Sequence, residues 1–301
     1  MKLDLQKIRK ISNLDLLAKQ MVEGFITGLH KSPYHGFSVE FAEHRLYNPG
    51  ESTRDIDWKV YARTDKLFTK RYEEETNLRC QLLIDNSSSM YYPVSTNGKI
   101  TFSVLAASAI AYLLHKQRDA VGITCFNETI EYQSQVRSTS SHLHKLLLEM
   151  QRLLDMNQVK KRTSVADVLH QIANKLHKRS LVIIFSDMFD DHDNIDELIN
   201  ALHHLKHNKH EVLLFHVTDP VTEYYFDFEE RPYEFIDLET NQKLKLQPSQ
   251  IKEQYQKEIS KYYYDLKLKC GQFKIDFIEA DINDDFDNIL SSYLIKRAKM
   301  K

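Results

Sequence analysis

Four short apolar runs, separated by amphipathic stretches, limit the possible folds of this chain more than any other feature. Gln81–Ile84, Asp119–Phe126, Leu181–Phe185 and Glu211–Val217 lack a helical period and read as buried strands. The intervening Lys99–Gln117, Ser140–Leu154, Ser164–Leu176 and Asn194–His207 place their apolar residues at spacings of three and four. Strand and helix patterns in alternation predict an α/β fold: a doubly wound, mostly parallel sheet with helices on both faces. Asn127-Glu128 makes a hairpin turn into Thr129–Gln135. Residues 221–247 break the rhythm. There Tyr224–Phe228, Tyr233–Leu238 and Lys243–Leu246 alternate like strands, which predicts an inserted antiparallel hairpin. A helix over Ser249–Lys269, a strand over Phe273–Ala280 and a helix over Phe286–Lys299 complete the expected order.

The first apolar run stops at Asp85-Asn86-Ser87-Ser88-Ser89. In open parallel sheets ligands bind beyond the carboxyl ends of the strands, where this loop is expected. Asp85, Ser87 and Ser89 offer one carboxylate and two hydroxyls at alternate positions, hard oxygens that suit Mg²⁺, Mn²⁺ or Ca²⁺. Asp and Ser also populate ordinary turns, so the spacing has a bland explanation too. The third run ends in a second acid, Asp187. If Asp85 and Asp187 lie on adjacent strands, one of the two carboxyl pKa values rises unless a cation sits between them.

Residues 34–79 are the least ordinary stretch. Gly36–Phe41 alternates like a strand, Tyr47–Ser52 reads as a loop, and Leu67–Tyr72 reads as a further strand. Arg54, Asp57, Trp58 and Arg63 interleave charge with the single tryptophan. Such a cluster can be a ligand or interface site, or an ion-paired structural knot around an aromatic. Ahead of it, Ile8 to Leu29 recur at helical spacing, in one or two helices expected to pack on the main domain.

The order D-x-S-x-S, then Thr163, then strand-terminal Asp187 resembles the metal-ion-dependent adhesion site of von Willebrand factor A domains. The runs G-F-S-V-E-F-A-E-H-R-x-Y-N-P-G and R-D-I-D-W-K-V-Y-A-R-T-D, with the following E-E-E, resemble the DUF58 family of bacterial proteins. That resemblance implies an extension over residues 1–79 packed on a von Willebrand factor A-like domain over 80–301. It implies Ser87, Ser89 and Thr163 as direct metal ligands, with Asp85 and Asp187 binding directly or through water. It also implies a MoxR-type AAA+ ATPase as partner, engaged through an acidic side chain that completes the metal site. Two departures stand out. Lys160, Lys161 and Arg162 precede the threonine where glycines are common, and Met188 follows Asp187 where glycine is usual in the broad superfamily.

Bulk composition excludes several classes. Lys plus Arg is 41 against 43 for Asp plus Glu, which argues against a general nucleic-acid binder. No apolar run approaches the roughly 20 residues that span a bilayer, and the N-terminus has no secretory h-region. Cys80, Cys125 and Cys270 form no pair and read as reduced core residues of a cytoplasmic protein. Among histidines, His203 and His207 could share a metal, against the blander reading of a solvated polar face. Of the enzyme classes, a Mg²⁺-dependent phosphoryl transfer through Asp85 is the alternative. Its usual second acid two residues on is replaced by Ser87, and neither a P-loop nor a serine elbow is present. The expected activity is therefore non-catalytic: a metal-dependent interaction module, adaptor or chaperone cofactor.

Overall fold

The computed structural model describes residues 14–30, 44–46, 58–70, 78–96, 98–155, 165–189, 195–237, 242–284 and 287–299. The chain divides into two units, Met1–Phe25 with Leu78–Lys301, and Ile26–Asn77. Helix α1 (Leu14–His30) buries Leu14, Leu17, Ala18, Met21, Val22 and Phe25, the face that the sequence spacing predicts.

In the smaller unit, β1 (His44–Leu46) pairs antiparallel with β2 (Phe68–Lys70), and α2 (Trp58–Thr64) lies between them in sequence. Trp58 is 60% exposed and meets Tyr61 edge-on at 6.1 Å, and Arg63 is exposed as well. These two members of the predicted cluster are exposed to solvent. Arg54, Asp57, the predicted strand at 36–41 and the loop at 47–52 lie outside the described residues.

The larger unit holds the alternating part of the sequence. Its elements run β3 (Arg79–Asp85), α3 (Gly98–Lys116), β4 (Ala120–Phe126), β5 (Ile130–Gln133), α4 (Ser140–Asp155), α5 (Val165–Lys175), β6 (Leu181–Ser186), α6 (Ile195–His207) and β7 (Glu211–Thr218). After these come β8 (Tyr233–Ile236), β9 (Lys243–Leu246), α7 (Pro248–Gln272), β10 (Asp276–Asp281) and α8 (Asp287–Lys299). Six strands form one sheet in the order β10-β7-β6-β3-β4-β5, parallel throughout except for β5. This is the mixed α/β architecture, with a mostly parallel central sheet, that the apolar runs predict. Leu82, Leu83, Ile84 and Leu181 through Phe185 are all fully buried, as strands covered on both faces must be.

Two predicted elements differ. Tyr224–Phe228 is not a strand: Pro220–Tyr224 forms a π-helical turn, closed by Tyr225 N–H donating to Pro220 O at 2.8 Å. The aromatics there pack on one another, Phe226 against Phe228 at 4.9 Å, and Phe226 also meets Tyr255 of the later helix at 4.5 Å. The last strand begins at Asp276 and not Phe273, because α7 continues to Gln272 and Lys274 turns the chain with φ 56°. The hairpin itself is present, as β8 paired antiparallel with β9. One expectation about membranes also needs correcting. Helix α3, 19 residues long, is apolar enough to cross a bilayer by length and composition, but 89% of its apolar 18-residue window is buried inside the protein. It is the central helix packed on the sheet.

Gly122 shows how tightly β3 and β4 pack. A Cβ there would lie 2.6 Å from Gln81 Oε1 and 3.1 Å from Gln135 O. Gln81 is itself buried and bonded to Thr124 Oγ1 at 2.8 Å, so it has little room to yield. Gly122→Ala is expected to cost about 1–3 kcal/mol in urea unfolding. A change under about 0.5 kcal/mol would show that the strand pair gives way freely.

Candidate metal centre

Strand β3 pairs in parallel with β6, Ile84 opposite Phe185, so the acids that end the two runs come out side by side at the carboxyl edge. That edge is where the chain switches from one side of β3 to the other, the position at which open parallel sheets form a crevice. Asp85, Ser87 and Asp187 are fully buried, and Ser89 is half-buried in the short 3₁₀ turn Ser88–Tyr91. Thr163 lies outside the described residues. Four of the five predicted ligands are therefore placed, and they are placed together.

Each carboxylate is held in a fixed orientation. Asp85 Oδ1 accepts from the Ser87 N–H at 2.9 Å, and Asp85 Oδ2 accepts from Ser186 Oγ at 2.6 Å. Ser186 in turn accepts from the Met188 N–H at 2.9 Å. The hydroxyls of Ser87 and Ser89 sit 3.1 Å apart. Asp187 Oδ1 accepts from Phe189 N–H at 3.3 Å. Its carbonyl accepts from His216 Nε2 at 2.9 Å, and burial pushes the His216 pKa down to about 4, so this ring stays neutral. Met188 stands in the left-handed region with φ 55°, a conformation in which glycine is unstrained. It is pinned there by full burial and by Tyr262 Oη donating to its carbonyl at 2.5 Å.

The electrostatics are unbalanced toward negative charge. Burial first, and the neighbouring Asp187 carboxylate second, push Asp85 up to about 7, against the hydrogen bonds from Ser186 and Ser87. This is the rise that two adjoining acids imply. Lys99 donates to Asp187 Oδ2 at 2.7 Å and to Glu223 Oε1 at 2.6 Å. Burial opposes its charge, but Asp187 and Glu223 together hold its pKa above the ordinary value. Two carboxylates thus meet one ammonium, with Asp85 next to the first of them.

These residues suit a hard divalent cation. Adjacent oxygens on a Mg²⁺ octahedron lie about 2.9 Å apart, close to the separation of the two serine hydroxyls. Among the described residues no three His, Cys, Asp or Glu side chains cluster as metal ligands, so the serines are needed to complete any such set. Among the described residues the histidines form no such group of three. His203 meets Phe273 at 4.5 Å in a tilted ring contact, His204 pairs with His170 at 2.9 Å, and His210 accepts from Ser180 N–H. The three cysteines are buried thiols, as expected.

Sequence reasoning missed Lys99, Glu223 and Ser186. A signal existed for the first. Lys99 stands in the opening turn of an apolar helix, where a cation opposes the helix dipole. Glu223 carried none, being one acid in an aromatic stretch.

A family model described as "Protein of unknown function DUF58" matches residues 43–263. Uncharacterized proteins of Mycobacterium tuberculosis and Mycobacterium bovis are each 27% identical over 214 residues, which is 70% of this chain. The chain spans 64% of the length of these curated relatives. Among solved structures, the conserved hypothetical protein BatB of Bacteroides thetaiotaomicron matches with a TM-score of 0.42 and 13% identity, covering 74% of this chain and 99% of that one. An aerotolerance-related membrane protein of Bacteroides fragilis matches at the same TM-score and identity, covering 73% and 99%.

Proposed function

This chain belongs to the DUF58 family, and we propose that its larger unit is a von Willebrand factor A-like, divalent-metal-dependent interaction module without catalytic activity. Ser87 and Ser89, with Thr163, hold Mg²⁺ (or Mn²⁺ or Ca²⁺) directly, while Asp85 and Asp187 bind it directly or through water. The ion supplies an open coordination position for an acidic side chain of a partner protein. On this reading the chain works in the cytoplasm as adaptor or chaperone cofactor of a MoxR-type AAA+ ATPase. The observation that carries the proposal is the convergence of Asp85, Ser87, Ser89 and Asp187 at adjoining strand ends, under an excess of buried negative charge.

Phosphoryl transfer through Asp85 is the weaker reading. Enzymes of that kind place a second acid two residues on as general acid and base, and here that position is Ser87. Isothermal titration of the purified chain with Mn²⁺ tests the module directly. One ion per chain is expected, with Ser87→Ala binding at least roughly tenfold more weakly. Capture of a MoxR-type ATPase is expected to be lost in EDTA and in Ser87→Ala. Undiminished Mn²⁺ binding by Ser87→Ala, or phosphatase turnover that vanishes in Asp85→Asn, would remove the proposal.

A further inference from the structure

The Lys99 ammonium is 1% exposed, and no ordinary reason puts it there. It lies in the first turn of α3, where the positive end of the helix dipole repels a cation, and it has given up its hydration. Its short contacts run to two carboxylates that come from different parts of the chain, Asp187 after β6 and Glu223 in the π-helical turn. Both carboxylates are anchored independently of Lys99. Phe189 N–H reaches the second oxygen of Asp187, and Asp219 N–H reaches the second oxygen of Glu223 at 2.8 Å. The rings of Tyr92 and Phe189 stand 5.9 and 6.0 Å from the nitrogen and wall the remaining sides. The result is a preformed cation position whose occupant is covalently attached.

We propose that Lys99 is a built-in counter-ion that fills, with its own nitrogen, the position a second metal ion would take between Asp187 and Glu223, and so limits the centre to one exchangeable ion. The limit of one rests on the reading of Asp85, Ser87 and Ser89 as the exchangeable site; the role of Lys99 itself does not. Lys99 shares Asp187 with that site and ties it to the Pro220–Tyr224 turn, which carries the exposed Tyr224. It is a positioning residue, and its removal has an unusual consequence. A shortened side chain leaves two oriented carboxylates and no cation between them.

The test counts Mn²⁺ per chain by electron paramagnetic resonance and by titration, in wild type, Lys99→Ala and Lys99→Ala/Glu223→Gln. Lys99→Ala is expected to bind one ion more than wild type and to melt at higher temperature in Mn²⁺ than in EDTA. The double variant, lacking one of the two carboxylates, is expected to lose the added ion, binding it at least tenfold more weakly. A count that does not change between wild type and Lys99→Ala overturns the inference. So does a Lys99→Ala chain that stays insoluble after refolding both with Mn²⁺ and with EDTA. The two readings separate cleanly. Zero ions in wild type and one in Lys99→Ala defeats the exchangeable site and upholds the role of Lys99; one in each does the reverse.

Discussion

Phe185→Ala is expected to cost the larger unit about 3–5 kcal/mol in urea or guanidinium unfolding. Phe185 lies next to the end of β6, opposite Ile84 on one side and Phe215 on the other. Its ring stacks on Phe215 with centroids 5.0 Å apart and planes within 6°, and both rings are fully buried. Truncation removes the buried ring and leaves a cavity in a sheet whose neighbours, fixed by the ladder, collapse into it only partly. The position gives the substitution a second effect. Ser186 and Asp187 follow directly, and Ser186 Oγ orients Asp85. Loosening the strand end should therefore weaken Mn²⁺ binding in protein that is still folded. Phe185→Leu, which keeps most of the volume, is expected to cost less than half as much. Equal costs for the two would mean that the ring's shape plays no part.

The second large effect is a dependence on pH. In the folded chain the Asp85 pKa is raised to about 7, from about 3.8 in the unfolded chain. Between these values the folded state holds a proton that the unfolded state has released. Stability without divalent ions must then fall as pH rises from about 4 to about 7, and level off above. Asp85→Asn lacks this proton. In EDTA it should be more stable than wild type at pH 8, by roughly 1–4 kcal/mol, with the gap closing by pH 4. Saturating Mg²⁺ should reverse the order at pH 8, since the ion binds the ionised carboxylate of wild type alone. Parallel unfolding curves at every pH in EDTA would show that Asp85 carries no unfavourable charge. Failure of Mg²⁺ to restore wild type would count instead against the metal reading.

The candidate centre was partly legible before any coordinates. Asp85, Ser87, Ser89 and Asp187 could be named because a strand end projects its next residues to one rim, and the runs ending in Asp85 and Asp187 were plain. Lys99 was visible only as an oddity. Its two partners lie 88 and 124 residues away, and no local pattern links positions that distant. Trp58 marks another limit of local pattern. A lone tryptophan among charges fits an interface site or a packed knot equally, since burial depends on what else the chain brings to the ring, and here it is 60% exposed.

What the sequence determined alone was the set of elements around the sheet, because unbroken apolar runs of strand length are stable only when covered on both faces. Local patterns fell short where backbone turns were irregular, as at Pro220–Tyr224. Tertiary structure alone decided which strands became neighbours, and hence that Asp85 and Asp187 share one crevice. It also decided that Lys99 and Glu223 reach that crevice from α3 and from the π-helical turn. The physical reason is that hydrophobic burial is read along the chain, whereas charges interact through space.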